Sequence, residues 1–136
     1  MDFDHLTSTQ NYSMMGAYAR SKLANVMFAN ALARRTENSN LRVNSLHPGT
    51  INSSILPTDG VMWPLLQKAA AALGIMKSTE LGAATPLYLA LDPAAADLQG
   101  KYFDEHQSAQ PCAPMAKQVN LQERLWALSA AATGIE

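Results

Sequence analysis

Cysteine is almost absent from this 136-residue chain, where Cys112 stands alone. No internal disulfide can form, and this usage suits a reducing compartment, so a cytoplasmic location is the expectation. Gln110-Pro111-Cys112-Ala113-Pro114 is a proline-bounded loop, and with no evident partner Cys112 reads as an unpaired loop thiol ahead of a nucleophile. Excess charge is also lacking: ten basic against eleven acidic residues leave a net charge of -1. Nothing therefore points to nucleic acid or an anionic membrane. His5, His47 and His106 have no metal-ligand spacing, and no metal is expected. No apolar run approaches the roughly 20 residues of a membrane span. Met1-Asp2-Phe3-Asp4-His5 lacks the basic and apolar regions of a signal peptide.

What is present is the composition of a globular protein, with 48% hydrophobic residues. A helix is expected from near Ser13–Gly16 to about Arg35, because Leu23, Val26, Met27, Asn30 and Ala31 follow helical spacing. Arg34 and Arg35 complement the dipole at its end. Leu41 to Leu46 reads as a strand running into the sharp turn His47-Pro48-Gly49. Pro64 to Leu73 reads as a short helix ended by Gly74. A further helix is capped by Ser78 or Thr79 and closed by Asp92-Pro93. Gly100 to Phe103 reads as a short strand, and Asn120-Leu121-Gln122-Glu123 as the capping-box start of a last helix. The chain thus reads as α/β with about four helices and two strands, against the roughly five or six strands of an average sheet.

Tyr18-Ala19-Arg20-Ser21-Lys22 carries the chemistry. A tyrosine and a lysine four residues apart lie on one helical face, so an ammonium stands beside a phenol. A neighbouring positive charge favours the phenolate, which makes the phenol a usable general acid or base. On spacing alone, a structural pair on a solvated helix is the better reading, and the catalytic one needs support from its surroundings.

The surrounding residues are more specific. Ser21-Lys22-Leu23-Ala24-Asn25-Val26 continues the helix, Val43-Asn44-Ser45-Leu46-His47-Pro48-Gly49 follows, and then come Gly82-Ala83 and Gly100-Lys101-Tyr102-Phe103. In this order the motifs resemble the short-chain dehydrogenase/reductase family, within it the retinol-dehydrogenase-like and WW-domain-oxidoreductase-like members. The resemblance covers nearly the whole chain. It implies the C-terminal part of a Rossmann-like doubly wound parallel sheet and an NADP- or NAD-dependent oxidoreductase. Such an enzyme interconverts an alcohol and a carbonyl on a small apolar substrate of retinoid, steroid or lipid type. Tyr18 would then be the proton donor or acceptor, and Lys22 its tuner and a ligand of the nicotinamide ribose. Pro48 and Gly49 would turn the chain along the nicotinamide face. Ile51, by its backbone, and Ser53, by its hydroxyl, would hold the carboxamide and pyrophosphate. Ile55, Leu56, Val61, Met62 and Trp63 would belong to the substrate loop, where an ordinary core helix pair is the other open reading.

The resemblance also implies what should lie elsewhere. A dinucleotide site needs a glycine-rich turn between a first strand and helix. The seven glycines here form no such motif. The expectation is that residues 1–136 are the catalytic and substrate-binding portion of one Rossmann-fold domain, inactive alone, without its nucleotide-binding half. A non-catalytic remnant or interaction module stays open as the alternative. The helix carrying Tyr18 offers a surface for a second copy of the chain.

Overall fold

The computed structural model describes Phe3, residues 12–49 and residues 78–135. The expected helix at Pro64 to Leu73 lies outside the described residues. These contain three α-helices: α1 (Met14–Arg35), α2 (Thr79–Leu91) and α3 (Val119–Thr133). Three two-residue strands are β1 (Ser45–Leu46), β2 (Tyr102–Phe103) and β3 (Ala109–Gln110). The sheet order is β1-β2-β3. Ser45 N donates to Lys101 O at 2.9 Å and His47 N to Phe103 O at 3.0 Å. Donors and acceptors advance together, so β1 and β2 are parallel. Asp104 N donates to Ser108 O at 3.0 Å, closing the hairpin that makes β3 antiparallel to β2. The class is α/β with a small mixed sheet, in keeping with part of a Rossmann-like fold.

Two compact units divide the chain. The first takes Met1–Ser45, Asp97–Tyr102 and Gln110–Glu136. Its frame is α1, an alanine-rich helix whose start is capped by Ser13 Oγ, which accepts from Gly16 N at 3.3 Å. At its end the Thr36 hydroxyl donates to Leu32 O at 2.9 Å. Met27 and Ala31 are fully buried. Met27 joins Phe3, Ala116 and Leu125 in a small core, with Leu23, Val26 and Leu121 packed against it. Long-range bonds tie α1 into this unit. Asn30 Nδ2 donates to Ala116 O at 3.0 Å. Gln99 Nε2 donates to Ala33 O at 2.9 Å, and Gln99 Oε1 accepts from Val43 N at 2.6 Å.

The second unit takes Leu46–Ala96 and Phe103–Ala109. Ser78 caps α2 by accepting from Leu81 N at 3.3 Å. The Glu80 carboxyl sits below its usual range, held first by its own backbone N–H and then by the Ser78 hydroxyl. Thr85 is buried within α2, and its hydroxyl donates to Asp104 O at 3.0 Å. That bond fastens the loop after β2 to the helix.

Three expectations need correction. The strand read over Leu41 to Leu46 is regular only at Ser45–Leu46. Upstream, side chains take ladder positions: Gln99 binds Val43 N, and Asn44 Oδ1 accepts from Lys101 N at 3.0 Å. Strand β3 was not expected. Its turn contains Gln107 at φ +60, which gives no glycine signal. The last helix starts at Val119 with Gln118 as N-cap and no side-chain cap. A 3₁₀ turn, Pro114–Lys117, feeds directly into it, with Gln118 N donating to Met115 O at 3.2 Å. Asn120 therefore lies inside the helix, and Glu123, the expected capping partner, accepts from Arg34 and Arg35 instead.

Candidate active site

Tyr18 and Lys22 lie one turn apart on α1, as their spacing requires. Lys22 Nζ stands over the Tyr18 ring, 5.4 Å from its centroid. Both side chains are exposed, Tyr18 by 57%. The backbone here is firmly helical, and the Ser21 hydroxyl donates to Tyr18 O at 2.7 Å. A phenol so placed is open to a reacting oxygen, and it can both donate and accept a hydrogen bond. An exposed cation–π contact contributes about 0.5–1 kcal/mol to holding the ammonium there.

Pro48 and Gly49 belong to the second unit and follow β1. Gly49 has φ +79, in the left-handed region that glycine favours. The first carbon of a side chain at this position would lie 2.6 Å from Glu105 Cδ and 3.3 Å from Glu105 Cβ. The Glu105 carboxylate thus rests against the turn. It also lies 3.5 Å from His106 Nε2. Ile51, Ser53, Ile55, Leu56, Val61, Met62 and Trp63 all lie outside the described residues.

Other groups in the first unit hold the C-terminal helix. Glu123 accepts from Arg34 Nη2 at 2.6 Å and from Arg35 Nη2 at 2.5 Å. The hydrogen bond from Arg35, then that from Arg34, holds its carboxyl below the usual range. Arg35 also lies 4.0 Å from the Trp126 ring centroid, and Trp126 stacks on Phe28 with centroids 5.0 Å apart. Burial pushes the Tyr102 phenol above its ordinary value, with neighbouring Cys112 acting in the same direction. A cavity of about 710 Å³ is lined by Asn30, Arg34, Gln99, Lys117 and Gln122, among others; Tyr18 and Lys22 are not in its wall. Cys112 is a free, half-buried thiol. Among the described residues no group of His, Cys, Asp and Glu side chains could hold a metal ion. Among them also, no helix is long and apolar enough to cross a membrane.

Comparison with known proteins settles the lineage. The chain is 38% identical over 142 residues to Retinol dehydrogenase 13 of Homo sapiens, covering 100% of this chain and 42% of that protein. It is 36% identical over 129 residues to Short-chain dehydrogenase TIC 32 A, chloroplastic, of Brassica napus, covering 93% of this chain and 39% of the other. It is 37% identical over 130 residues to the WW domain-containing oxidoreductase of Homo sapiens, covering 95% of this chain and 31% of that protein. The chain belongs to the short-chain dehydrogenase/reductase family. No protein-family model and no solved structure matches it. This short-chain dehydrogenase/reductase chain spans less than half the length of the curated relatives named here. The residue the sequence reading passed over is Glu105. Its only signal is proximity in space to Gly49, more than 50 positions away in the chain.

Proposed function

We propose that this chain is the catalytic and substrate-binding portion of an NAD(P)-dependent oxidoreductase. The reaction interconverts an alcohol and a carbonyl on a small apolar substrate of retinoid, steroid or lipid type. The observation that carries this is the exposed Tyr18–Lys22 pair on α1, within a chain alike over its whole length to Retinol dehydrogenase 13.

Tyr18 gives a proton to the carbonyl oxygen in reduction and takes one from the alcohol in oxidation. Lys22 places positive charge next to the phenoxide that forms as the proton leaves, and it orients the nicotinamide ribose. Pro48 and Gly49 would turn the chain along the nicotinamide face, and Ile51 by its backbone and Ser53 by its hydroxyl would hold the carboxamide and pyrophosphate. When bound, NADP or NAD supplies or accepts the hydride. The residues present fit that group in part. An exposed phenol and ammonium suit the ribose and the reacting oxygen, and the left-handed Gly49 lets backbone approach a flat ring. The sequence holds no glycine-rich turn for the pyrophosphate. We therefore take the chain alone to be inactive, with the nucleotide-binding half of the domain lying outside these residues. Ile55, Leu56, Val61, Met62 and Trp63 supply the apolar substrate loop. A second copy of the chain is the partner we assign to α1, with the Tyr18 phenol itself left open to substrate.

The test is made on the protein expressed with its adjoining upstream coding sequence. Tyr18→Phe should remove turnover of an apolar aldehyde while NADPH binding persists. Undiminished turnover overturns the assignment. Quenching or a spectral shift of NADPH fluorescence by the 136-residue chain alone would overturn its stated dependence on the rest of the domain.

A further inference from the structure

We infer that Glu105 is a positioning residue for the Pro48–Gly49 turn, the element to which the functional proposal assigns the nicotinamide face; its functional meaning rests on that reading. The turn is anchored at its base, where His47 N donates to Phe103 O at 3.0 Å. Past that bond the chain bends through the left-handed conformation of Gly49, at φ +79. What closes the other side of the bend is the Glu105 side chain. It occupies the volume that a β-carbon at position 49 would need, with Cδ at 2.6 Å and Cβ at 3.3 Å from that point. The backbone angle requires glycine, and a β-carbon there would in addition displace the Glu105 carboxylate, the far end of a flexible side chain.

Glu105 is partly buried. Its side chain is only 25% exposed. The loop that carries it is wound tightly: Asp104 Oδ1 accepts from His106 N at 2.8 Å and from Ser108 N at 3.0 Å. Thr85 ties the same loop to α2 through its bond to Asp104 O, 3.0 Å long. These contacts all fall within one compact unit. The line of support runs from α2 through Thr85 to the 104–108 loop, and from Glu105 to Gly49. Glu105 acts through the turn, and its shape matters more than its charge.

The test uses the full 136-residue chain without cofactor. In a ¹H–¹⁵N spectrum, Glu105→Ala should displace the Gly49 amide resonance, and Glu105→Gln, which keeps the shape, should leave it near its original position. An unmoved Gly49 resonance in Glu105→Ala overturns the inference. So does a Gln variant that behaves like Ala. Thermal unfolding supplies a second readout. Gly49→Ala should lower the midpoint by about 4 °C or more. In the Glu105→Ala background the loss should be clearly smaller, because only the backbone strain remains. Equal losses in both backgrounds count against the contact. In the protein expressed with upstream sequence, a Gly49 resonance unmoved by NADPH would tell against the cofactor reading. The positioning role would still stand.

Discussion

Lys22 holds its ammonium over the face of the Tyr18 ring, 5.4 Å from the centroid, and both side chains are open to solvent. The relationship separates two effects that spacing alone leaves together. Removing the phenolic oxygen deletes the proton donor, whereas removing the ammonium deletes only its support. In protein expressed with upstream sequence, Tyr18→Phe should lower kcat by about 10²–10⁴-fold, the range of a positioned acid or base. Lys22→Met should lower kcat and also weaken NADPH binding. Steady-state kinetics and a fluorescence titration check both. A Lys22→Met enzyme with unchanged cofactor affinity would remove the ribose from the role of Lys22.

A second prediction concerns pH. Glu123 gains hydrogen bonds from Arg35 and Arg34 on folding, which lower its pKa below the ordinary carboxylate value of about 4.3. A group with a depressed folded pKa stabilises the fold above its unfolded pKa. That contribution fades as pH falls through the folded value. Glu123→Gln should therefore be less stable than the parent chain at pH 7, with the gap closing at pH values below the ordinary carboxylate range. The site is exposed, so salt should narrow the gap too. Urea unfolding at several pH values measures it. A gap that is constant with pH would mean that the ionised carboxylate contributes nothing.

The helices were legible in the sequence because their signals are local. Ser78 caps the helix it was expected to cap, α1 begins within the expected Ser13–Gly16 stretch, and Met27 and Ala31 fall on the buried stripe that periodicity marks. Gly49 was legible as a turn residue for the same reason. The strands were less so. Two-residue strands leave no alternation to read, and β1 is extended upstream by the side chains of Gln99 and Asn44, a pairing over more than 50 positions. Glu105 was invisible for the same reason. Nothing in Asp104-Glu105-His106 signals that its carboxylate reaches Gly49. Arg34 and Arg35 were read as dipole partners, and their second function, clamping Glu123 on α3, depends on packing between helices.

A third prediction follows from an unpaired group. Ser45 Oγ is a buried side-chain oxygen with no hydrogen-bond partner among the described residues. A buried hydroxyl without a partner costs about 1–3 kcal/mol relative to its solvated state. Ser45→Ala removes the oxygen and keeps the β-carbon packing. The variant should be as stable as the parent or more so, by up to about 1 kcal/mol. Chemical denaturation decides it. A clear loss of stability would show that the hydroxyl has a partner in solution.

The last prediction joins local helix structure to the site. Ser13 is the N-cap of α1, and its hydroxyl oxygen accepts from Gly16 N at 3.3 Å. Ala17 N donates to Ser13 O at 2.8 Å, so the first turn hangs on this one residue. Tyr18 sits little more than one turn further on, two residues after Gly16, which by itself disfavours helix. Ser13→Ala should cost about 1 kcal/mol of stability. Its larger consequence should be fraying that reaches Tyr18, since the end of a helix unwinds first. Amide hydrogen exchange at Gly16 to Tyr18 should accelerate, while exchange near Met27 stays slow. Ser13→Asp should restore protection, because aspartate caps as well and its charge suits the helix start. If exchange at Tyr18 is unchanged in Ser13→Ala, the first turn is held by contacts other than its cap, and the candidate proton donor does not depend on Ser13.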